Sequence, residues 1–280
     1  MVATSPYDEP PTRPDPGLFG PESVTWRVHA EPVLWIAGLR ALYLQALHPQ
    51  AVRLVAEYSD FDRDAWGRLF RTAAYVGVTT FGGTQAAEHA AERVRRIHAA
   101  LPGVDSAELL LWVHVCEVDS FLSTTRRSGL GLTDAQADRY VDEQRRAAAL
   151  VGLDPDGVPS TSAELTEYLQ RARPRLAGTA QAYDSARFIL APPMPAWVAL
   201  LTPARPAWAS AAGLAFALLP RWARRLYGAP GLPTTDLAAA AALRSLRRGL
   251  AVLPPRLLEG PHLREARQRL RGGRELRRAG

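Results

Sequence analysis

The chain has 280 residues, 47% of them hydrophobic and 22% charged, a composition able to bury a core, which excludes a disordered, collagenous or disulfide-stapled chain. Its single cysteine, Cys116, excludes an internal disulfide and a zinc or cluster site built of cysteines alone. The net charge of +6 is local: residues 221–280 hold 14 Arg against Asp236, Glu259, Glu265 and Glu275, a surplus of +10, so the other 220 residues carry −4.

There is no lysine, so every basic side chain is arginine. No aromatic residue follows Tyr227 in the basic stretch, so it lacks the stacking platform of a nucleic-acid binder and no nucleic-acid partner is expected. A solvated helix face is the ordinary meaning of such a stretch, and contact with an anionic membrane surface stays open.

In chain order, residues 1–22 contain six prolines and few apolar residues, and read as a disordered lead-in. They lack a basic start followed by an apolar run, so no export signal is expected and the expected location is cytoplasmic. From Glu31 onward the helical period dominates, predicting helices near 31–48, 62–78, 84–100, 106–126, 133–151, 161–173, 179–190, 207–226, 234–253 and 262–278. Thr84, Thr133 and Ser160-Thr161 stand where N-caps belong. Pro49, Pro102-Gly103, Gly129 and Gly152 stand where helices should stop. The longest apolar stretch, Met194–Leu219, is broken by Pro203, Arg205 and Pro206; the remaining Ala207–Leu219 falls short of the roughly 20 residues a membrane span needs. The expectation is an all-α fold of about ten helices, a single domain over residues 23–260, with a loosely attached basic segment over 261–280.

Several catalytic signatures are missing: a phosphate-binding Walker loop, an HExxH helix, a GxSxG elbow and a complete dinucleotide fingerprint. The lone Glu-x-x-His, Glu259–His262, spans a Gly-Pro and does not suit a helical di-iron site. Histidines are more informative. His29 lies in the lead-in to the first helix, His262 in the basic tail, and His89 on a charged face, all poor candidates for a buried site. His98 continues the stripe Ala87, Ala91, Val94; His114 aligns with Leu110, Val118 and Phe121; His48 ends the stripe Ala41, Leu44 just before Pro49. Three histidines thus point inward. They are either hydrogen-bonded core residues, with His48 serving its helix C-terminus, or ligands of a haem iron or of a three-histidine zinc site.

Arg68 and Thr72 stand one helical turn apart beside the stripe Trp66, Leu69, Ala73, Val76. An inward arginine needs an anionic partner, either a structural carboxylate or the carboxylate of a cofactor. Thr72 either hydrogen-bonds that same group or its own helix backbone. Cys116 faces away from His114 and reads as a small core residue.

The order of motifs carries a resemblance. LRALYLQALHPQAV at 39–52, SDF at 59–61, RLFRT at 68–72, FGG at 81–83, RRIHAALPG at 95–103 and LLLWVHV at 109–115 occur in sequence. They are followed by DRYVDEQRRAAALVGL at 138–153, VPSTSAEL at 158–165 and LPRWARRLYG at 219–228. From Val24 to Gly228 the chain resembles the mpaB/rubber oxygenase catalytic-domain family, which includes latex clearing protein and many actinobacterial members. The resemblance implies an all-α fold holding haem b, with His98 as proximal iron ligand and Arg68 and Thr72 beside the haem. Arg71 falls where rubber-cleaving members carry a lysine, and His48 and His114 match recurring family histidines, assigned here to the cofactor site. Two departures are visible: Leu101–Ala107 is shorter than in the family, and Val52 lies near the place of the acidic base of rubber oxygenases.

The resulting expectation is a haem-b oxygenase or oxidoreductase acting with dioxygen or peroxide on a small apolar or natural-product substrate, such as an isoprenoid. Arg68, Arg71 and Thr72 are its expected catalytic residues and His98 its metal ligand. The alternative is a non-catalytic helical protein that binds a ligand or a membrane surface through its basic C-terminus.

Overall fold

The computed structural model describes residues 15–58 and 61–279, with side chains for 15–58 and 66–272. Residues 1–14 of the expected disordered lead-in lie outside the described residues. The rest of that lead-in departs from expectation. Asp15 accepts hydrogen bonds from the Thr84 amide (2.6 Å) and hydroxyl (2.9 Å), and Phe19 is only 1% exposed. One buried aromatic ring and one carboxylate at a helix N-terminus outweigh the proline content, so the packed body begins at Asp15 rather than at residue 23.

Every described element is helical, and no strand occurs among the described residues. Each expected helix has a counterpart, one of them divided in two, and four helices not expected join them, giving fifteen α-helices among the described residues where about ten were expected. The first three are α1 (Val24–His29), α2 (Leu34–Gln45) and α3 (Pro49–Tyr58). The six-residue α1 is too short to stand alone. Its Ser23 side chain caps the Trp26 amide, and its Val24 and Thr25 amides donate to the buried Glu143 carboxylate, 119 and 118 residues away. Pro49, expected only to stop a helix, opens α3, because a proline at the first helical position loses no needed donor.

Next come α4 (Phe61–Phe81), α5 (Thr84–Ala99), α6 (Ala107–Arg127) and α7 (Asp134–Leu150), the last opened by a capping box between Thr133 and Gln136. After α8 (Ser162–Ala172) and α9 (Ala180–Leu190), the expected helix 207–226 divides into α11 (Ala204–Ala217) and α12 (Arg221–Leu226) at Pro220, preceded by the short α10 (Ala196–Leu201). The chain closes with α13 (Pro233–Ala251), α14 (Pro255–Leu258) and α15 (Pro261–Ala279).

The core is built on the antiparallel pair α2 and α6. The Trp112 indole donates to the Gln45 carbonyl (3.1 Å) at one end of the seam. Toward the other end Arg40, 2% exposed, donates to Asp119 (2.8 Å), Ser120 (2.6 Å) and the Leu218 carbonyl (3.1 Å). Helix α11 runs parallel to α2, with Tyr43 edge-on to Phe216 at 5.4 Å. Helix α13 returns the other way, from Asp236 beside Arg224 to Arg247 on Glu31.

The basic segment 261–280 is not loosely attached over its described part. Leu263 and Ala266 are buried with Trp26 and Phe81, and α15 lies along α4. Gly77 makes this contact feasible, since a Cβ there would come within 2.6 Å of the His262 ring. Of its described arginines, Arg264, Arg267 and Arg271 are exposed, while Arg269 turns inward and donates to the Phe81 (2.8 Å) and Asp15 (3.1 Å) carbonyls.

Candidate functional site

Two sides of α6 differ in kind. One side meets α2 through hydrogen bonds from Arg40 to Asp119 and Ser120. The other carries His114, Glu117 and Phe121 at helical spacing toward α1, α4 and α7. Burial drives the His114 imidazole down to about 4 and the Glu117 carboxyl up to about 7, and neither side chain has a hydrogen-bond partner among the described residues. The surrounding chain strips water from both groups, yet each keeps some surface reachable by a water molecule.

The opposing elements supply further polar groups. Tyr75 on α4 is half-buried; burial and the nearby Glu117 push its phenol up to about 12, and Arg95 opposes them. Tyr140 on α7 is fully buried and raised by burial, with Glu117 and Glu143 adding to the effect. His29 joins these walls. Its Nδ1 lies 2.7 Å from the Thr80 hydroxyl, its Nε2 lies 3.1 Å from the Tyr140 hydroxyl, and its ring meets Phe121 edge-on at 5.0 Å. Burial pushes its pKa down to about 3, so the ring is neutral, donating through one nitrogen and accepting through the other. Sequence reading set His29 aside as part of a lead-in. The structure corrects this, because α1 forms only through its tertiary contacts; no local pattern would have found it.

His98 sits in the last turn of α5. Its Nδ1 is buried and has no hydrogen-bond partner. Burial lowers its pKa, with Asp105 opposing. A buried ring nitrogen without a partner is uncommon and calls for an explanation, a ligand among them. Arg68 is half-buried on α4, its pKa lowered by burial and by the neighbouring Arg71. Arg71 and Thr72 are exposed, and the Thr72 hydroxyl donates to the Arg68 carbonyl at 3.1 Å, the backbone alternative left open by the sequence.

His48 has a local task. It is buried against Trp112, its carbonyl accepts from the Val52 amide (3.0 Å), and its Nδ1 accepts from the Ala51 amide (3.4 Å). It therefore caps the start of α3 rather than serving the C-terminus of α2, because Pro49 begins a new helix. Among the described residues no three histidine, cysteine or acidic side chains come together to hold a metal ion, so His48, His98 and His114 do not form the three-histidine zinc arrangement. Cys116 is buried, and desolvation, with Asp119 adding to it, raises its thiol well above the ordinary value. It is a core residue.

Beside the start of α4 lies an apolar cleft of about 370 Å³, walled by Trp35, Leu39, Trp66, Met194, Trp208 and Ala211 among others. Trp66 and Trp208 meet edge-on at 4.7 Å. Their indole N–H groups donate to the Pro193 and Ile189 carbonyls (2.8 Å each), which leaves apolar ring surface to the cleft. Of these, the sequence placed only Trp66 on a helical stripe. What joins α2, α4 and α11 around one space is tertiary.

No curated protein and no solved structure matches the chain. A family model does match, over residues 26–276, and its description reads ER-bound oxygenase mpaB/B′/rubber oxygenase, catalytic domain. With nearly the whole length matched and an all-helical fold in place, the chain belongs to the mpaB/rubber oxygenase catalytic-domain family.

Proposed function

We propose that this protein is a haem-b-dependent oxygenase acting on a small apolar substrate, with His98 as the residue that would hold the iron. The observation that carries the reading is the buried, unpartnered Nδ1 of His98 in the last turn of α5. The donor set suits the group: a neutral imidazole for iron, and a half-buried guanidinium, Arg68, for a propionate carboxylate. When bound, haem supplies an iron able to bind and activate dioxygen or peroxide.

The chain's own residues divide the remaining work. His98 presents a neutral ring, since its burial disfavours the imidazolium. The neutral His29 holds the Thr80 and Tyr140 hydroxyls in place behind the site. Glu117, held near neutrality at the edge of protonation, can keep or release a proton at its carboxyl oxygen. The cleft between Trp66 and Trp208 binds apolar surface and excludes water, with Arg71 and Thr72 on the same helix.

The test is titration of haem-free protein with haemin, followed by absorption spectroscopy. Wild type is expected to give a stoichiometric histidine-ligated spectrum, and His98→Ala to lose axial coordination and bind at least ~10-fold more weakly, the size of loss typical of metal-site substitutions. An identical spectrum and affinity in His98→Ala would remove His98 from the site.

A further inference from the structure

We propose that one end of the helical body docks on an anionic lipid bilayer. This stands apart from the haem reading, since it uses surface residues only and would hold or fail whatever the protein binds inside.

The end in question is defined by topology. Helices α2 and α11 both begin there, at the cleft, and α13 finishes there, where Arg247 pairs with Glu31 at the entrance to α2. Short helices α10 and α14 lead into and out of this end. On α10, Trp197 is 66% exposed and Leu200 and Leu201 are 80% exposed each. Their spacing of three and four puts all three on one face of little more than a turn. Trp35 (51%) adds an indole from α2, and Val252 (82%) and Leu257 (69%) add aliphatic surface around α14. Solitary exposed apolar residues are ordinary; this many large ones at one end are not.

Charge identifies the occupant. Arg205 follows α10, while Arg248 and Arg256 flank the exposed Val252. All three are exposed, and none has an acidic partner among the described residues. By contrast Arg247 and Arg267, close by in sequence, are paired with Glu31 and Glu259. A surface of Trp and Leu fringed by free guanidinium groups matches the apolar layer and phosphate layer of a bilayer, with tryptophan suited to the boundary between them. A second copy of the chain fits less well, because a twofold contact would set these arginines against each other. The apolar cleft, with Trp35 in its wall, adjoins the same end, so a molecule leaving the bilayer would meet it directly.

The experiment is co-sedimentation of the full chain with vesicles of phosphatidylcholine, alone or mixed with phosphatidylglycerol. Wild type should pellet with the mixed vesicles, with Trp fluorescence quenched by brominated lipid. The pair Leu200→Ser and Leu201→Ser should weaken partitioning by at least ~10-fold while leaving the thermal midpoint in place, since both side chains are exposed. Arg205→Gln, Arg248→Gln and Arg256→Gln together should remove the preference for phosphatidylglycerol, each charge contributing a several-fold factor. Any of three results overturns the proposal: wild type remaining in the supernatant with both vesicles; pelleting of the serine variant at wild-type strength, which would mean adsorption by arginine alone; or a wild-type dimer in solution that the serine variant converts to monomer.

Discussion

The two sides of α6 share one helix and similar depth, yet they are built on opposite rules. Toward α2, the buried guanidinium of Arg40 donates through Nε and one terminal nitrogen to the Leu218 carbonyl, Asp119 and Ser120, all within 3.1 Å. Toward α4 and α7, burial shifts both His114 and Glu117, which keep some accessible surface and have no partner among the described residues. A buried polar group left unmatched costs about 1–3 kcal/mol, so chains keep such groups where they serve something other than stability. The contrast separates a hydrogen-bonded seam from a wall of polar groups with no partner among the described residues.

The strongest way to break this comparison is on the satisfied side. Arg40→Met removes one partner of a buried ion pair and strands Asp119, so urea denaturation of the haem-free protein should show a loss of about 3–5 kcal/mol. A loss below ~1 kcal/mol would mean that the seam is not what holds the two helices together.

On the unsatisfied side the sign reverses. Burial raises the Glu117 carboxyl from 4.5 to about 7, so the folded protein keeps a proton that the unfolded chain has released. Stability from this group therefore falls as pH rises from 4.5 to 7, and the full penalty stands above 7. His114, lowered to about 4, and His29, lowered to about 3, act in the opposite direction. Both are neutral in the fold and gain protons on unfolding below 6.5, so they remove stability as pH falls. The wild type should be most stable near neutrality. Glu117→Gln should stabilise the haem-free protein above pH 7, on the order of 3 kcal/mol, and change it little near pH 4.5. Destabilisation at high pH would show instead that the carboxylate has a favourable partner.

The smallest expected effect sharpens the boundary of the wall. The Thr72 hydroxyl is exposed and bonds its own helix, so Thr72→Val should alter stability by less than ~0.5 kcal/mol, as surface substitutions do. A haemin spectrum or affinity that moves in this variant would place Thr72 at the cofactor after all; an unmoved one would leave it as a helix-surface residue.

Much of this was legible before any coordinates. The stripe through Ala87, Ala91 and Val94 put His98 on an inner face, and the stripe through Leu110 and Phe121 did the same for His114, because a helix repeats its environment every three to four residues. The same periodicity read residues 31–48 as one helix and missed α3, since a proline that ends one helix can also begin another. It also placed Phe19 in a tail, because composition averages over a segment and a single well-packed ring does not.

What the sequence determined by itself is the all-helical class, the family, and the inner face of long periodic helices such as α5 and α6. Whether an inward polar group is satisfied was decided only by the tertiary structure. His29 depends on Thr80 and Tyr140, 51 and 111 residues away, and Arg40 on a carbonyl 178 residues away. The apolar cleft likewise needs α2, α4 and α11 to converge. Helix periodicity is a local property of the backbone, whereas a hydrogen-bond partner is a position in space that distant segments must bring there.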